Sequence, residues 1–360
     1  MAKAVEVVPS LLAWVARVAL SGVVCASLGH ADASGPTQGQ ALFDRSELMV
    51  FELTAPFRHL IRDRYGQSTY NAAQLSYRDL DGGEVILPIE IRTRGKTRRR
   101  KDYCEFPPLR LRFGAGTTDT QFDGEKSLKL VTHCNDRDSF DQYVLQEYLA
   151  YRVYRQLTER SHRVRLAQVT YVESEGRVLT TRYGILLEGW KSVAERNNLV
   201  AAEVDGAVNI EKLSPTDANR VAVFQYMIGN GDWSVLWPEP KENCCHNTKP
   251  LLAPDGTVVP LPYDFDFAGI VNTPYAVSPD GSSNVRLRRY RGLCATQSQL
   301  SAILPLFRNN REAIYALYRD QSGMSPRRLR SALSYLDSFY KVINDPNQVE
   351  RRMIRRCRSD

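Results

Sequence analysis

Four polar side chains in the centre of the chain have the types and spacing expected of a metal–nucleotide site. Asp232 follows a predicted helix end, Asn247 comes fifteen positions later, and Asp264 and Asp266 lie two apart after an apolar run. In an extended segment, two acids at that spacing project to the same side and can share one hard cation such as Mg²⁺ or Mn²⁺. An asparagine carbonyl adds a neutral oxygen ligand, and an acid held apart from the metal can deprotonate a hydroxyl.

The order of these residues favours phosphoryl transfer. An acid, then an asparagine, then a metal-binding acid beside a strand is the order found in kinase-like phosphotransferases. Two acids two positions apart are also how metal-dependent glycosyltransferases hold a sugar nucleotide. A plainer alternative is that Asp264 caps a turn and Asp232 ends a helix.

Two lysines on or near a predicted strand are candidates for holding nucleotide phosphates. Lys129 lies within the predicted strand 128–132, and a predicted helix at 139–158 carries Glu147. Because kinases hold the α- and β-phosphates with a strand lysine paired to a helix acid, Lys129 and Glu147 are the first candidates and Lys126 is the second. The alternative is an exposed lysine and a solvated acid.

Two further positions are predicted to contact the nucleotide. Arg94 opens a basic loop at 94–101 that can cover a triphosphate, hold an acidic substrate or simply face solvent. Glu188 follows the predicted strand 183–187, where backbone groups of a connection between two lobes could bind adenine.

The carboxy-terminal half resembles the CotH family, the spore-coat-type atypical kinases of exported bacterial proteins. The first half resembles it at residues 89–95, a strand followed by an Arg-Gly turn, and the resemblance spans about residues 80–320. Three segments carry most of it: Gly229-Asn230-Gly231-Asp232, His246-Asn247 and Pro262-Tyr263-Asp264-Phe265-Asp266.

The resemblance implies a fold class and a set of roles. The fold would be α+β, a two-lobed protein-kinase-like fold with a strand-rich lobe and a mainly helical lobe that contains the catalytic centre. ATP would donate the phosphoryl group with Mg²⁺ or Mn²⁺ bound. Asp232 would be the catalytic acid/base, Asn247 and Asp264 would bind metal, and Asp266 would be a second ligand or support the first.

The chain departs from the family pattern between Asp232 and Asn247. A long insertion there contains Trp237, two prolines and an adjacent pair of cysteines. A stapled, enclosed loop would explain how Asn247 still reaches the site.

Periodicity places the elements that must position these residues. Alternation of apolar and polar residues predicts strands, and apolar residues at helical spacing predict helices. Ser214-Pro215 and Ser325-Pro326 are helix starts, and Gly229 is a helix stop. The predicted strands are 85–94, 109–113, 128–132, 167–172 and 183–187, and the predicted helices are 139–158, 214–228, 299–319 with a bend at Pro305, and one from 325. The lobes would be residues 46–187 and 188–350.

The first residues have the pattern of a targeting segment. Positive residues, an apolar run and an Ala-Asp-Ala cleavage site predict a signal peptide at 1–33, followed by a polar linker at 34–45. We therefore expect an exported protein, periplasmic or extracellular, with membrane association only if the segment is retained. Lipidation of Cys25 is a weaker option. The basic segment 351–360 is expected to be a solvated tail.

Charge and cysteines limit the partners. The 48 basic and 41 acidic residues give +7, which permits an anionic partner such as a nucleotide, and no nucleic-acid partner is expected. Signal removal leaves six of the seven cysteines, an even number that suggests disulfides. Cys104 and Cys134 flank strands and can staple them, whereas the pairing of the other four stays open. A metal site of Cys244, Cys245 and His246 is an alternative.

Three functional classes remain. The first is an exported, metal-dependent kinase whose hydroxyl acceptor is a protein or a small molecule. The second is a glycosyltransferase that uses a sugar nucleotide, and the third is a secreted kinase-like binding domain without turnover.

Overall fold

The structure is a computed structural model, and it describes residues 42–66, 69–79, 81–240, 242–278, 281 and 284–359. The predicted signal peptide at 1–33 and most of the predicted linker lie outside the described residues. Leu42 and Phe43, at the end of that linker, are buried against the core of the first sheet.

Seven strands form a closed barrel in the first half of the chain. Along each strand, alternate residues point inward, as in β1, where Phe51 and Leu53 are buried. The order around the barrel is β1-β2-β3-β4-β5-β7-β6, and β1 closes it by pairing in parallel with β6, from Met49 with Ala167 to Ala55 with Glu173. The strands are β1 (Met49–Ala55), β2 (Asn71–Arg78), β3 (Glu84–Thr93), β4 (Leu109–Phe113), β5 (Ser127–Val131), β6 (Val164–Glu173) and β7 (Val178–Leu187).

The predicted fold class, α+β with a two-lobed protein-kinase-like arrangement, is wrong. The finding that overturns it is barrel closure: β1 bonds to β2 on one side and to β6 on the other, so the sheet has no open edge. Alternation shows which face of a strand is buried but not which strand lies beside it. The pairing of residues 49–55 with residues 167–173 was therefore not visible in the sequence.

Helices and a small sheet make up most of the rest. They are α1 (Phe57–Arg62), α2 (Asp138–Leu157), α3 (Trp190–Arg196), β8 (Val200–Ala201), α4 (Pro215–Ile228), β9 (Thr248–Leu252), β10 (Val258–Pro262), α5 (Leu300–Asn309), α6 (Arg311–Arg319), α7 (Pro326–Ile343) and α8 (Pro346–Arg352). The three-stranded sheet has the order β10-β9-β8. A second core joins the buried faces of α2, α4, α5, α6 and α7 to residues of β6 and β7.

Most predicted elements are confirmed to within a few residues, with one correction. The helix predicted over 299–319 is two helices, and the break comes at Asn310 rather than at Pro305, which lies inside α5. The Asn310 backbone N–H closes α5 on Leu306, and its carbonyl accepts the first bond of α6 from Ile314.

Six cysteines form three disulfides within the described residues. Cys104–Cys134 is confirmed, and the other two bonds are Cys244–Cys245 and Cys294–Cys357. With both sulfurs of the adjacent pair in a disulfide, no thiolates remain there for the alternative metal site. Three disulfides are typical of a protein that matures in an oxidising compartment, as expected for an exported chain. Across the described ranges, no helix is long and apolar enough to cross a membrane.

We expect His133 to make the free energy of unfolding depend on pH. Its ring packs against Phe106 and Tyr171, is 1% exposed, and has no hydrogen bond at either nitrogen. Burial lowers the pKa of His133 to about 3 from 6.5. Below pH 6.5 the histidine of the unfolded chain binds a proton, whereas in the folded protein it does so only near pH 3. The free energy of unfolding therefore falls as pH falls from about 6.5 to about 3. From pH 7 to pH 5 this histidine accounts for a loss of about 2 kcal/mol.

His133→Phe tests this expectation in urea unfolding at pH 7 and pH 5. The variant should lose about 2 kcal/mol less than the parent over that interval, because phenylalanine fills the same apolar space without titrating. His59→Gln, at an exposed position on α1, is the matched control and should keep the parental pH dependence. Equal pH slopes for the parent and His133→Phe would contradict the assignment.

Candidate functional site

The β9–β10 hairpin brings Asn247 and Asp264 to the same end. Its register pairs Thr248 with Pro262, so the residue before β9 faces the residue after β10. The Tyr263 backbone N–H accordingly donates to the Asn247 carbonyl at 3.0 Å. Asn247 and Asp264 both have left-handed backbones, with φ of 49° and 63°. Asn and Asp tolerate this conformation better than most residues, which explains these residue types where the chain turns away from the hairpin.

Asp232 reaches the same place from the end of α4. Gly229 ends that helix with φ of 69°, and a Cβ there would lie 1.9 Å from the Tyr335 hydroxyl, so only glycine fits. Three residues later, the Asn247 side-chain amide donates to the Asp232 carbonyl at 2.8 Å and to its Oδ2 at 3.0 Å. The predicted acid and the predicted amide ligand are therefore in direct contact, and the Asn247 Oδ1 is left for another partner.

His246 is a site residue that the sequence suggested only as a ligand of the alternative metal site with Cys244 and Cys245. Its Nε2 lies 2.7 Å from Asp232 Oδ1, and its Nδ1 lies 3.2 Å from Glu239 Oε1. Burial lowers the pKa of His246, but the bond and charge of Asp232, helped by Glu239, outweigh it and raise the pKa above the usual value. The contact with His246 Nε2 fixes the orientation of the Asp232 carboxylate. The sequence signal was the His-Asn pair itself.

Asp264 is held by its backbone and leaves its carboxylate available. Its N–H donates to the Tyr151 hydroxyl of α2 at 2.9 Å. Within the described ranges, the Asp264 carboxylate accepts no hydrogen bond and forms no ion pair. An acid without a donor among these residues, at the same end of the hairpin as Asn247, offers an oxygen ligand of the kind that Mg²⁺ prefers.

Asp266 lies deeper and belongs to a buried cluster. Arg98, on the turn after β3, places Nη1 3.6 Å from Asp266 Oδ2 and 3.3 Å from Glu147 Oε2 on α2. The Tyr275 hydroxyl donates to Asp266 Oδ2 at 3.1 Å, and Arg98 Nη2 donates to the Thr132 carbonyl at 2.8 Å. Asp266 and Glu147 are each 3% exposed and Arg98 is 7% exposed, so this ion cluster has little contact with water.

This cluster contains more acidic groups than basic ones. Burial is the main cause that raises the pKa of Glu147 and of Asp266, and the nearby Asp264 raises both further while Arg98 opposes it. One buried arginine therefore serves two buried carboxylates and lies within electrostatic range of Asp264. The Glu147 Oε1 is buried without a hydrogen bond. A divalent cation near Asp264 would offset this excess.

Lys129 faces the same region from the barrel. Its ammonium lies 4.7 Å from the centre of the Tyr263 ring. Loss of water around it, and then the charge of Arg94, lower the pKa of Lys129 to about 7 although Asp264 acts in the other direction. The expected Lys129–Glu147 ion pair does not form: Glu147 pairs with Arg98, and within the described part of the chain no carboxylate lies within 4.0 Å of the Lys129 ammonium.

The other predicted nucleotide contacts are placed differently. Arg94 directly follows β3, with its N–H bonded to the Pro108 carbonyl, and its charge reaches Lys129. Lys126 is exposed. Glu188 is buried in ion pairs with two arginines, its N–H donates to a carbonyl, and its own carbonyl lies 2.9 Å from His162 Nδ1. Its backbone N–H and carbonyl thus both have partners within the protein.

The donor set fits a metal that arrives with its nucleotide. Within the described residues, no three His, Cys, Asp or Glu side chains lie close enough to form a metal site by themselves. Mg²⁺ is usually held by one or two carboxylates, substrate phosphates and water rather than by an all-protein cage. Asp264, the Asn247 amide oxygen and the remaining oxygen of Asp266 are oxygen donors of the type that such a partial shell would need.

Comparison with known proteins gives no assignment. No family model matches the chain, and no curated protein matches it.

Proposed function

We propose that this protein is an exported, metal-dependent phosphotransferase that uses ATP with Mg²⁺ or Mn²⁺ and acts on a hydroxyl acceptor. One observation carries the proposal: Asp232 and Asn247 are hydrogen-bonded at the mouth of the β9–β10 hairpin, where Asp264 presents a carboxylate with no donor among the described residues. The proposal concerns activity and does not depend on a kinase-like fold. The motif resemblance to CotH-type kinases and the three disulfides support it, with the periplasm or the extracellular space as the site of action.

In this proposal, each residue performs a defined task. Asp232, oriented by His246 and Asn247, accepts the proton of the acceptor hydroxyl. The acceptor oxygen forms a bond to the γ-phosphorus as the bond to the β–γ bridging oxygen breaks, and that oxygen leaves with ADP and the electron pair. Asp264 and Asn247 would hold the metal, and Asp266 would be a second ligand or support the first. The metal, when bound, neutralises phosphate charge.

Two cations of the barrel contribute to nucleotide binding. Arg94 is close enough to Lys129 for its charge, after burial, to help lower the Lys129 pKa. Two cationic side chains therefore face one region. Bound phosphates would relieve that repulsion and favour the charged lysine. Arg98 is committed to Glu147 and Asp266, so its task is to hold these acids in place.

Thermal unfolding with and without nucleotide tests the proposal. Mg²⁺–ATP at about one hundred times its Kd should add about 2.7 kcal/mol to the free energy of unfolding and raise the Tm by about 4 °C. Lys129→Met should lose most of this shift, whereas Lys126→Met, at an exposed position three residues earlier, should keep it. The assay is run without reductant to preserve the disulfides.

A radiolabel assay then separates the functional classes. Transfer of the γ-phosphate of ATP to an acceptor or to the protein itself supports the kinase. Stabilisation by UDP-glucose with Mn²⁺ but not by ATP would replace it with a sugar-nucleotide transferase. Absence of any metal-dependent nucleotide shift would leave only the non-catalytic class and refute the proposal.

A further inference from the structure

A cavity adjoins Asp232. Its volume is about 150 Å³, and its wall includes the Gly229–Asp232 backbone, Phe267 and Arg291. Lys129, Arg94 and Asp264 are not part of its lining. Asp232 thus borders both the predicted nucleotide region and this cavity.

Arg291 is a cation that the described structure leaves incompletely paired. It is half-buried, its Nε is buried without a hydrogen bond, and no carboxylate of the described residues lies within 4.0 Å of it. Burial, together with Arg358, lowers the pKa of Arg291, while Asp232 is the acid that acts in the other direction. A half-buried cation with an unused donor is costly unless something binds it.

The neighbouring arginines of the same segment have structural partners. Arg288 donates to the Met227 and Tyr335 carbonyls and to the Ser338 hydroxyl, and Arg286 donates to the Gly269 carbonyl. These bonds fix the segment against α4 and α7. Arg289 and Arg291 both line the cavity, and Arg289 also has a partner, whereas the Nε of Arg291 is buried without a hydrogen bond.

The backbone on both sides of Arg291 is fixed. On one side the buried Tyr290 hydroxyl bonds to Asn219, and on the other the Gly292 carbonyl accepts from the Arg358 N–H at 2.8 Å. The Cys294–Cys357 disulfide ties the same two segments together. The chain segment that carries Arg291 is therefore held in position before any ligand arrives, which reduces the ordering cost of binding.

We propose that this cavity binds the acceptor, and that the acceptor is a peptide whose serine or threonine lies beside an acidic residue. This rests on the proposed phosphotransferase function. Arg291 would bind the acidic side chain, which a cavity of this size accommodates, while the hydroxyl lies at Asp232. The exposed apolar side chains of Val277 and Leu287 at the lining offer contacts to a peptide that a small anion would not use.

Three matched serine peptides with flanking Glu, Gln or Lys test this inference by their kcat/KM. One charge-assisted contact is expected to favour the Glu peptide over the Gln peptide by about tenfold. Arg291→Gln should reduce this ratio to near one, and Arg291→Glu should reverse the preference towards the Lys peptide, a gain that misfolding cannot produce. Arg330→Gln, at an exposed position on α7, is the control and should keep the ratio.

A binding arm separates this inference from the proposed function. Fluorescence anisotropy of the Glu peptide with alanine in place of serine needs no turnover. Binding that Arg291→Gln abolishes, in a protein that transfers no phosphate, would retain the acidic-peptide site and refute the kinase. Phosphate transfer with equal kcat/KM for the three peptides would support the kinase and refute the acidic-peptide site. Binding of inorganic polyphosphate or DNA with none of the peptide would overturn the inference.

Discussion

Replacing Asp264 with asparagine is expected to abolish both phosphoryl transfer and metal-dependent ATP binding, whereas Asp232→Asn should abolish transfer alone. The Asp264 carboxylate has no donor among the described residues, so its negative charge is available to a metal and has no structural task there. Asparagine keeps the size of the side chain and tolerates the backbone φ of 63°. The fold should therefore remain while the metal ligand is lost.

Asp232 differs from Asp264 because its oxygens contact protein groups. Both carboxylate oxygens contact side chains, His246 at one and Asn247 at the other. An acid so oriented suits proton transfer, a contribution of about 10²- to 10⁴-fold in rate. We therefore expect kcat of Asp232→Asn to fall by about 10³-fold with the ATP-induced Tm shift retained.

The same hairpin provides the control for both variants. Asp255 lies in the exposed β9–β10 turn, where it accepts from the Thr257 N–H, and Asp255→Asn should keep transfer and binding. Transfer rates are measured with labelled ATP, and binding by the Tm shift with and without Mg²⁺. Normal turnover in Asp232→Asn or in Asp264→Asn would refute the mechanism. Equal loss of ATP binding in both would show that Asp232 is a binding residue rather than a proton acceptor.

Local patterns predicted much of the chain that positions this site. Ser214 as cap, Pro215 at the first helical position and Gly229 as stop defined α4, and the structure has these features. This works because capping and left-handed glycine are decided within a few residues. The position of Asp232 just beyond the helix therefore followed from the sequence.

Partners distant in sequence were beyond prediction. The barrel closes between β1 and β6, and no periodicity of either strand identifies the other. For the same reason, Glu147 was expected to pair with Lys129 although it pairs with Arg98, a residue 49 positions away. The basic loop 94–101 has the pattern of a solvated surface, and one of its arginines is buried. Burial of a single charge depends on what packs over it, which the local sequence does not contain.

The cluster around Arg98 should be the most sensitive point for stability, and Arg98→Met is expected to cost about 3–5 kcal/mol. Methionine retains the apolar stem but removes the cation that bonds Glu147, approaches Asp266 and donates to the Thr132 carbonyl. Two carboxylates, each 3% exposed, would then be buried without a counter-charge. Each would avoid ionisation by binding a proton, so their pKa values, already raised by burial, would rise further.

The pH dependence and a double variant identify the cause of this loss. A folded-state pKa above that of the unfolded chain means that the folded state binds more protons, so the stability of Arg98→Met should fall as pH rises from 5 to 8. Glu147→Gln removes one of the two stranded charges, and in the Arg98→Met background it should restore part of the loss. Urea unfolding without reductant measures the free energy of unfolding of the parent, the two single variants and the double variant. If the two single costs simply add, and the Arg98→Met deficit is equal at both pH values, Arg98 contributes packing only and the charge explanation fails.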